Sequence, residues 1–174
     1  MEQPIILNIN DENPSTGLYL GLDCSSKAIH GVWVDQNEQL VTKCKWGSSK
    51  KNFEERFLEF GLDFWVSLSK IKVLLDDIAP IKAAVEAAIY IQNPKATIAI
   101  ASVAGLARFS CHFNNIECEF LDNTKWKRDI LGKGNASKAE IKAFAVEKWG
   151  AENFPEQDFA DAACIALWKK RRNS

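Results

Sequence analysis

Two aspartates three residues apart, Asp158 and Asp161, open an alanine-rich segment that runs into Ile165 and Trp168. On a helix this spacing turns both carboxylates to one side, and the same stripe continues into the two apolar residues. Solvated helices carry their acids opposite the apolar stripe. Two carboxylates facing inward are costly unless a cation neutralises them. The pair also follows Pro155, in a first turn where the helix dipole favours negative charge, so a solvated helix start is the other reading. Acids upstream decide between the two. Asp23 ends the alternating run Leu18-Tyr19-Leu20-Gly21-Leu22-Asp23, and Glu86 stands alone in Ala83-Ala84-Val85-Glu86-Ala87-Ala88. A glutamate in such a strand is expensive without a function; the alternative is an edge strand with Glu86 turned outward. Four carboxylates that converge form a hard-oxygen site, which selects Mg²⁺, with Mn²⁺ able to substitute, over zinc. The matching reaction is phosphodiester hydrolysis by a metal-activated water, with two ions about 4 Å apart clamping the attacking and leaving oxygens.

The elements that must position these acids follow from periodicity. Strands are expected at 18–23, 29–34 and 40–46, joined by the turn Cys24-Ser25-Ser26-Lys27 and the hairpin loop Asp35-Gln36-Asn37-Glu38. Together they make an antiparallel meander. From 52 to 78, Phe53, Phe57, Phe60, Phe64, Leu68, Ile71 and Leu75 recur at helical steps, with Gly61 a possible bend, and Pro80 ends the helix. A fourth strand at 83–88 precedes a helix opened by Asn93-Pro94 and rich in small residues. A fifth strand is expected at 116–121, then a helix at 137–149 and the acid-bearing helix from 157 to 168. Residues 1–16 read as an irregular arm and 17–170 as one domain: an α/β fold with a mixed five-stranded sheet flanked by helices.

Between 122 and 148 the basic residues Lys125, Lys127, Arg128, Lys133, Lys138, Lys142 and Lys148 outnumber Asp122, Asp129, Glu140 and Glu147. The chain as a whole has net charge −1, so any nucleic-acid surface must be local. Ser137 and Glu140 form a capping box that puts Lys138 in a first helical turn. The Gly132-Lys133-Gly134 turn offers backbone N–H groups beside lysines, suited to phosphate. The segment also fits an ordinary solvated face. Lys169-Lys170-Arg171-Arg172 reads as a frayed, solubilising tail.

At 174 residues and 47% apolar content the chain can bury one sizeable core. No apolar run approaches the roughly 20 residues that span a bilayer, and the first residues lack a basic secretory start, so no membrane partner is expected. Five scattered cysteines without a paired motif read as reduced thiols. His30 and His112 lack zinc-ligand spacing and read as scaffold residues. A cytoplasmic protein is expected, of a bacterium or a virus-infected cell, with an organelle the other option.

Gly21-Leu22-Asp23, Val85-Glu86 and Asp158-Phe159-Ala160-Asp161-Ala162 together resemble the RuvC-type Holliday-junction resolvases of the RNase H-like superfamily. Trp126-Lys127 followed by Gly132-Lys133-Gly134-Asn135-Ala136-Ser137-Lys138 is similar to that family's lysine, Gly-x-Gly turn and second lysine. The resemblance spans Leu18 to about Trp168. It implies a Mg²⁺-dependent endonuclease that resolves four-way junctions by paired symmetric nicks, acting as a homodimer whose contact falls on the helix beginning near Pro94. It implies Asp23, Glu86, Asp158 and Asp161 as ligands for two ions, and Lys138 as the residue that stabilises charge on the phosphate. Lys127 would contact DNA, with Lys133 and Arg128 beside it. The chain departs from the family pattern at Cys24-Ser25, where Pro-Gly is usual, and at Ile89, where a base-stacking aromatic is usual; the neighbouring Tyr90 could take over stacking. The alternatives are an RNase H-like nuclease for other branched or RNA-containing substrates, and an inactive junction-binding protein. The residues name no helicase partner.

Overall fold

The computed structural model describes residues 17–75, 80–88 and 93–173. Along the chain these form β1 (Leu18–Cys24), β2 (Ala28–Val34), β3 (Leu40–Gly47), α1 (Phe53–Leu75), β4 (Ile81–Glu86), α2 (Pro94–Phe113), β5 (Glu117–Leu121), α3 (Asn123–Leu131), α4 (Lys138–Trp149) and α5 (Gln157–Arg172). The expected arm at 1–16 lies outside the described residues.

The sheet runs in the order β3-β2-β1-β4-β5. β1, β2 and β3 form the antiparallel meander, whereas β4 and β5 lie parallel to β1. This is the mixed five-stranded sheet flanked by helices that the pattern predicts. Alternation separates two cores. Leu18, Leu20 and Leu22 join Trp33, Val85 and the inner residues of α1 and α2 on one face. On the other, Val32 and Ala84 pack under α5, with α3 and α4 outside it. β4 lies between β1 and β5, which rules out the edge-strand reading of Glu86.

Four expectations change. The basic segment after β5 is helical: Asp122 caps α3 by accepting from the Lys125 N–H at 2.9 Å, and Gly132, at φ 80°, closes it. Trp126 and Ile130 are the residues α3 buries, so a basic composition concealed an inward stripe. Gly61 answers to a close approach rather than a bend, since a Cβ there would stand 2.5 Å from Leu106 Cδ2 of α2.

The terminal basic run is neither frayed nor a free tail. Lys169 is buried and donates to Glu117 and Glu119 of β5, each at 2.7 Å. Arg171 donates to Glu38 at 2.8 Å and 3.1 Å, and Arg172 lies over the Trp168 ring. α2, finally, is long and apolar enough by length and composition to cross a membrane. Here its inner stripe of Ala99, Val103, Ala104, Ala107 and Cys111 is buried, as in a core helix of a layered α/β fold.

Candidate active site

Register brings the first two acids together. β1 and β4 pair Leu22 with Val85, so the next residues along, Asp23 and Glu86, stand at the ends of adjacent parallel strands. Both lie on the sheet face that α5 covers. The helix comes close because Gly21, two residues before Asp23, has no side chain: a Cβ there would stand 2.0 Å from the Ala162 carbonyl oxygen. This contact sets Asp161 over the end of β1.

Carboxylate oxygens of Asp23, Asp158 and Asp161 all lie within 4.8 Å of one another. Glu86 is not part of this tight set. Its Oε1 accepts from the Trp126 indole Nε1 at 2.9 Å and from the Asn123 side-chain amide. The Glu86 charge still reaches the cluster. Burial, followed by the charges of Asp161, Glu86 and Asp158, holds the Asp23 carboxyl well above the usual carboxylate range. Burial pushes Asp161 up to about 6; Glu86 and Asp158 add to it, while a Gln157 hydrogen bond at 3.3 Å and Lys138 oppose it. Burial and neighbouring acids outweigh the opposing charge of Lys138 at Asp23 and Asp161, so the set carries negative charge that a cation would answer. The donors are all hard oxygens, so the set fits a divalent cation of the Mg²⁺ or Mn²⁺ kind.

Residues 64–169 match the family model described as crossover junction endodeoxyribonuclease RuvC. The chain belongs to the RuvC family. A relative in Synechocystis sp. of that description is 33% identical over 163 residues, which are 90% of this chain and 93% of the relative. The RuvC protein of Francisella tularensis subsp. novicida is 29% identical over 97 residues, 56% of this chain, and the match spans 57% of that relative's length. Thermus thermophilus RuvC shares the fold, with a TM-score of 0.67 at 15% identity, covering 87% of this chain and 92% of that one. The same Thermus protein in complex with a Holliday junction substrate aligns equally well, at 12% identity.

Of the remaining candidates from the RuvC-like pattern, Lys138 is exposed in the first turn of α4 and lowers the proton affinity of both Asp23 and Asp161. Lys127 is half-buried over the Trp126 ring, 5.5 Å from its centroid. Arg128 lies 3.8 Å from Asp129 and is largely exposed. Lys133 is paired with Glu140, the capping-box acid, so part of its charge is already answered. Ile89 and Tyr90 lie outside the described residues.

Three residues of the site were given no functional role from the sequence. His30, read from the sequence as scaffold, is the cross-strand partner of Asp23. Its Nδ1 lies 3.6 Å from Asp158 Oδ2 and its Nε2 3.3 Å from Glu156 Oε2, and Lys45 pairs with Glu156 at 2.5 Å. Burial lowers the proton affinity of this imidazole. Counting the hairpin register across Cys24–Lys27 finds His30 opposite Asp23. Asn123 and Trp126 are the other two, and their bond to Glu86 crosses from helix to strand, where no local pattern registers it.

Proposed function

We propose that this chain is a divalent-metal-dependent endonuclease that cuts four-way DNA junctions, working as a homodimer that places paired symmetric nicks. The observation that carries the reading is the set of Asp23, Asp158 and Asp161 oxygens within 4.8 Å of one another on a RuvC-family chain. Those three aspartates and Glu86 would hold Mg²⁺ or Mn²⁺, with room in ligand number for two ions. The bound metal would supply a nucleophilic water and neutralise charge on the phosphate oxygens.

The chain's own groups do the rest. Lys138 sits where a cation opposes the helix dipole, a position that a phosphate neighbour accounts for. It stabilises the charge that develops at the bond being cut. Lys127 and Arg128 on α3 contact the flanking backbone, and Lys133 contributes less while it is paired with Glu140. On the far side of the sheet, Leu58, Leu62 and Trp65 of α1 and Ile98, Phe109 and Phe113 of α2 are exposed. An apolar face of this kind supports self-association, and its position on α2 agrees with the contact the family resemblance implies.

The test is incubation with a mobile synthetic junction, with and without Mg²⁺, and mapping of products on all four strands. Two symmetric nicks that require the metal are expected. Equal cutting of flaps, forks or RNA–DNA hybrids would favour the broader nuclease reading. Tight junction binding with no metal-dependent cleavage would make the chain an inactive binding protein.

A further inference from the structure

Glu86 is held by two neutral donors from one helix, the Asn123 amide and the Trp126 indole of α3. Trp126 is nearly fully buried, at 1% exposure, and its N–H must find an acceptor inside the protein. It reaches past its own helix to Glu86 Oε1 at 2.9 Å, and the Asn123 amide, one helical turn earlier on α3, donates to the same oxygen. Both bonds fall on Oε1, so Oε2 is the oxygen left for a cation. The indole has a second neighbour: Lys127 Nζ lies 5.5 Å from its ring centroid, within cation–π range.

We propose that Asn123 and Trp126 are positioning residues for the metal centre. They hold Glu86 by one oxygen and turn the other toward the cation, while the face of the same indole seats Lys127. One side chain then fixes both a metal ligand and a contact to the DNA backbone, so α3 cannot move against the phosphate without moving Glu86. Outer-sphere partners of this kind are worth ~10- to 100-fold in metal affinity. The inference rests on the metal-dependent reading above and concerns residues beyond the four acids and the lysines.

The test is Mn²⁺ titration of the full chain by calorimetry without DNA, well below the melting temperature, for wild type, Trp126→Phe, Asn123→Ala and Trp149→Phe. Trp149 is the control: its indole donates to the Glu38 carbonyl at 2.8 Å, away from the acids, so its loss removes a similar bond. Trp126→Phe keeps a ring beside Lys127 and loses the N–H donor together with part of the buried indole volume. Asn123→Ala removes a donor to the same oxygen without touching that core ring. Each of these two variants is expected to weaken Mn²⁺ binding by about 10-fold or more, with wild-type affinity in Trp149→Phe. Metal-free junction affinity of Trp126→Phe should match wild type. Wild-type Mn²⁺ affinity in both α3 variants, or an equal loss in Trp149→Phe, overturns the proposal. Should Trp126→Phe fail to fold, Asn123→Ala decides alone, because it removes a half-buried amide from the helix start. A wild-type chain that binds no Mn²⁺ would instead overturn the metal-dependent reading itself.

Discussion

Gly21 and Ala162 are in backbone contact: a Cβ on the strand residue would stand 2.0 Å from the helix carbonyl and 2.3 Å from the Ala166 nitrogen. Neither neighbour is a flexible side chain, so Gly21→Ala must push α5 off the sheet. Overpacking of this kind costs ~1–3 kcal/mol. In a chain of this size that lowers the melting temperature by about 2–4 °C for each kcal/mol. Asp161 adjoins Ala162, so Mn²⁺ affinity should fall with the stability. A Gly21→Ala protein with wild-type Mn²⁺ affinity would show that the approach of α5 does not set the ligand geometry.

Replacing a ligand should trade activity for stability. Burial raises both Asp23 and Asp161, and the Asp161 charge raises Asp23 further. Asp161→Asn should lower junction cleavage by ~10²-fold or more, while junction binding stays largely intact. The metal-free variant should melt at or above the wild-type temperature, since a repulsive charge has gone. Near wild-type nicking by Asp161→Asn would remove it from the ligand set. Asp158, more exposed and beside His30, should tolerate replacement better.

Stability should depend on pH with a recognisable sign. A carboxyl raised on folding, like Asp161 at about 6, contributes stability that is present below its unfolded value and lost as the pH rises through 6. Glu38, drawn down to about 2 chiefly by its Arg171 hydrogen bond, acts oppositely: its contribution is lost as the pH falls below 4.5 toward 2. His30, lowered by burial, gains in stability as the pH rises and partly masks Asp161. Melting curves of metal-free wild type and Asp161→Asn should therefore diverge between pH 4 and 7, the variant gaining on wild type as the pH rises. Mg²⁺ at about 100 times its dissociation constant should return about 2.7 kcal/mol to the wild type. Parallel curves across that window would contradict the assignment.

Lys138→Ala should separate catalysis from docking. The lysine offsets the charge of the acids it faces, so it should act on the bond being cut. Single-turnover cleavage at saturating protein should fall ~10²-fold, with a small change in junction affinity. Wild-type turnover with collapsed binding would make it a docking residue.

The apolar far face gives a fifth handle. Trp65 of α1 and Phe113 of α2 lie with ring centroids 6.0 Å apart on that surface. Trp65→Glu with Phe113→Glu should shift the chain from dimer to monomer by sedimentation. A dimer of unchanged mass would exclude this face as the contact, and a monomeric wild type would overturn the homodimer reading.

The sequence alone determined the strands, the helices other than α3, and the kind of chemistry. Alternation in 18–23 assigned Asp23 to the face opposite three leucines, helical spacing paired Asp158 with Asp161, and the capping box located Lys138, because each is a relation within a few residues. The helicity of α3 was hidden because charged residues mask a short inward stripe. The terminal lysines and arginines read as a tail for a related reason: their partners Glu38, Glu117 and Glu119 lie on distant elements. Only the tertiary structure decided which acids meet. It brought Asp23, Asp158 and Asp161 together through one glycine-to-helix contact, and left Glu86 at the rim on Trp126 and Asn123. It also set His30 against Asp158. Such pairings depend on sheet order and on how closely a helix can approach a strand, and both follow from packing across the whole chain rather than from any local period.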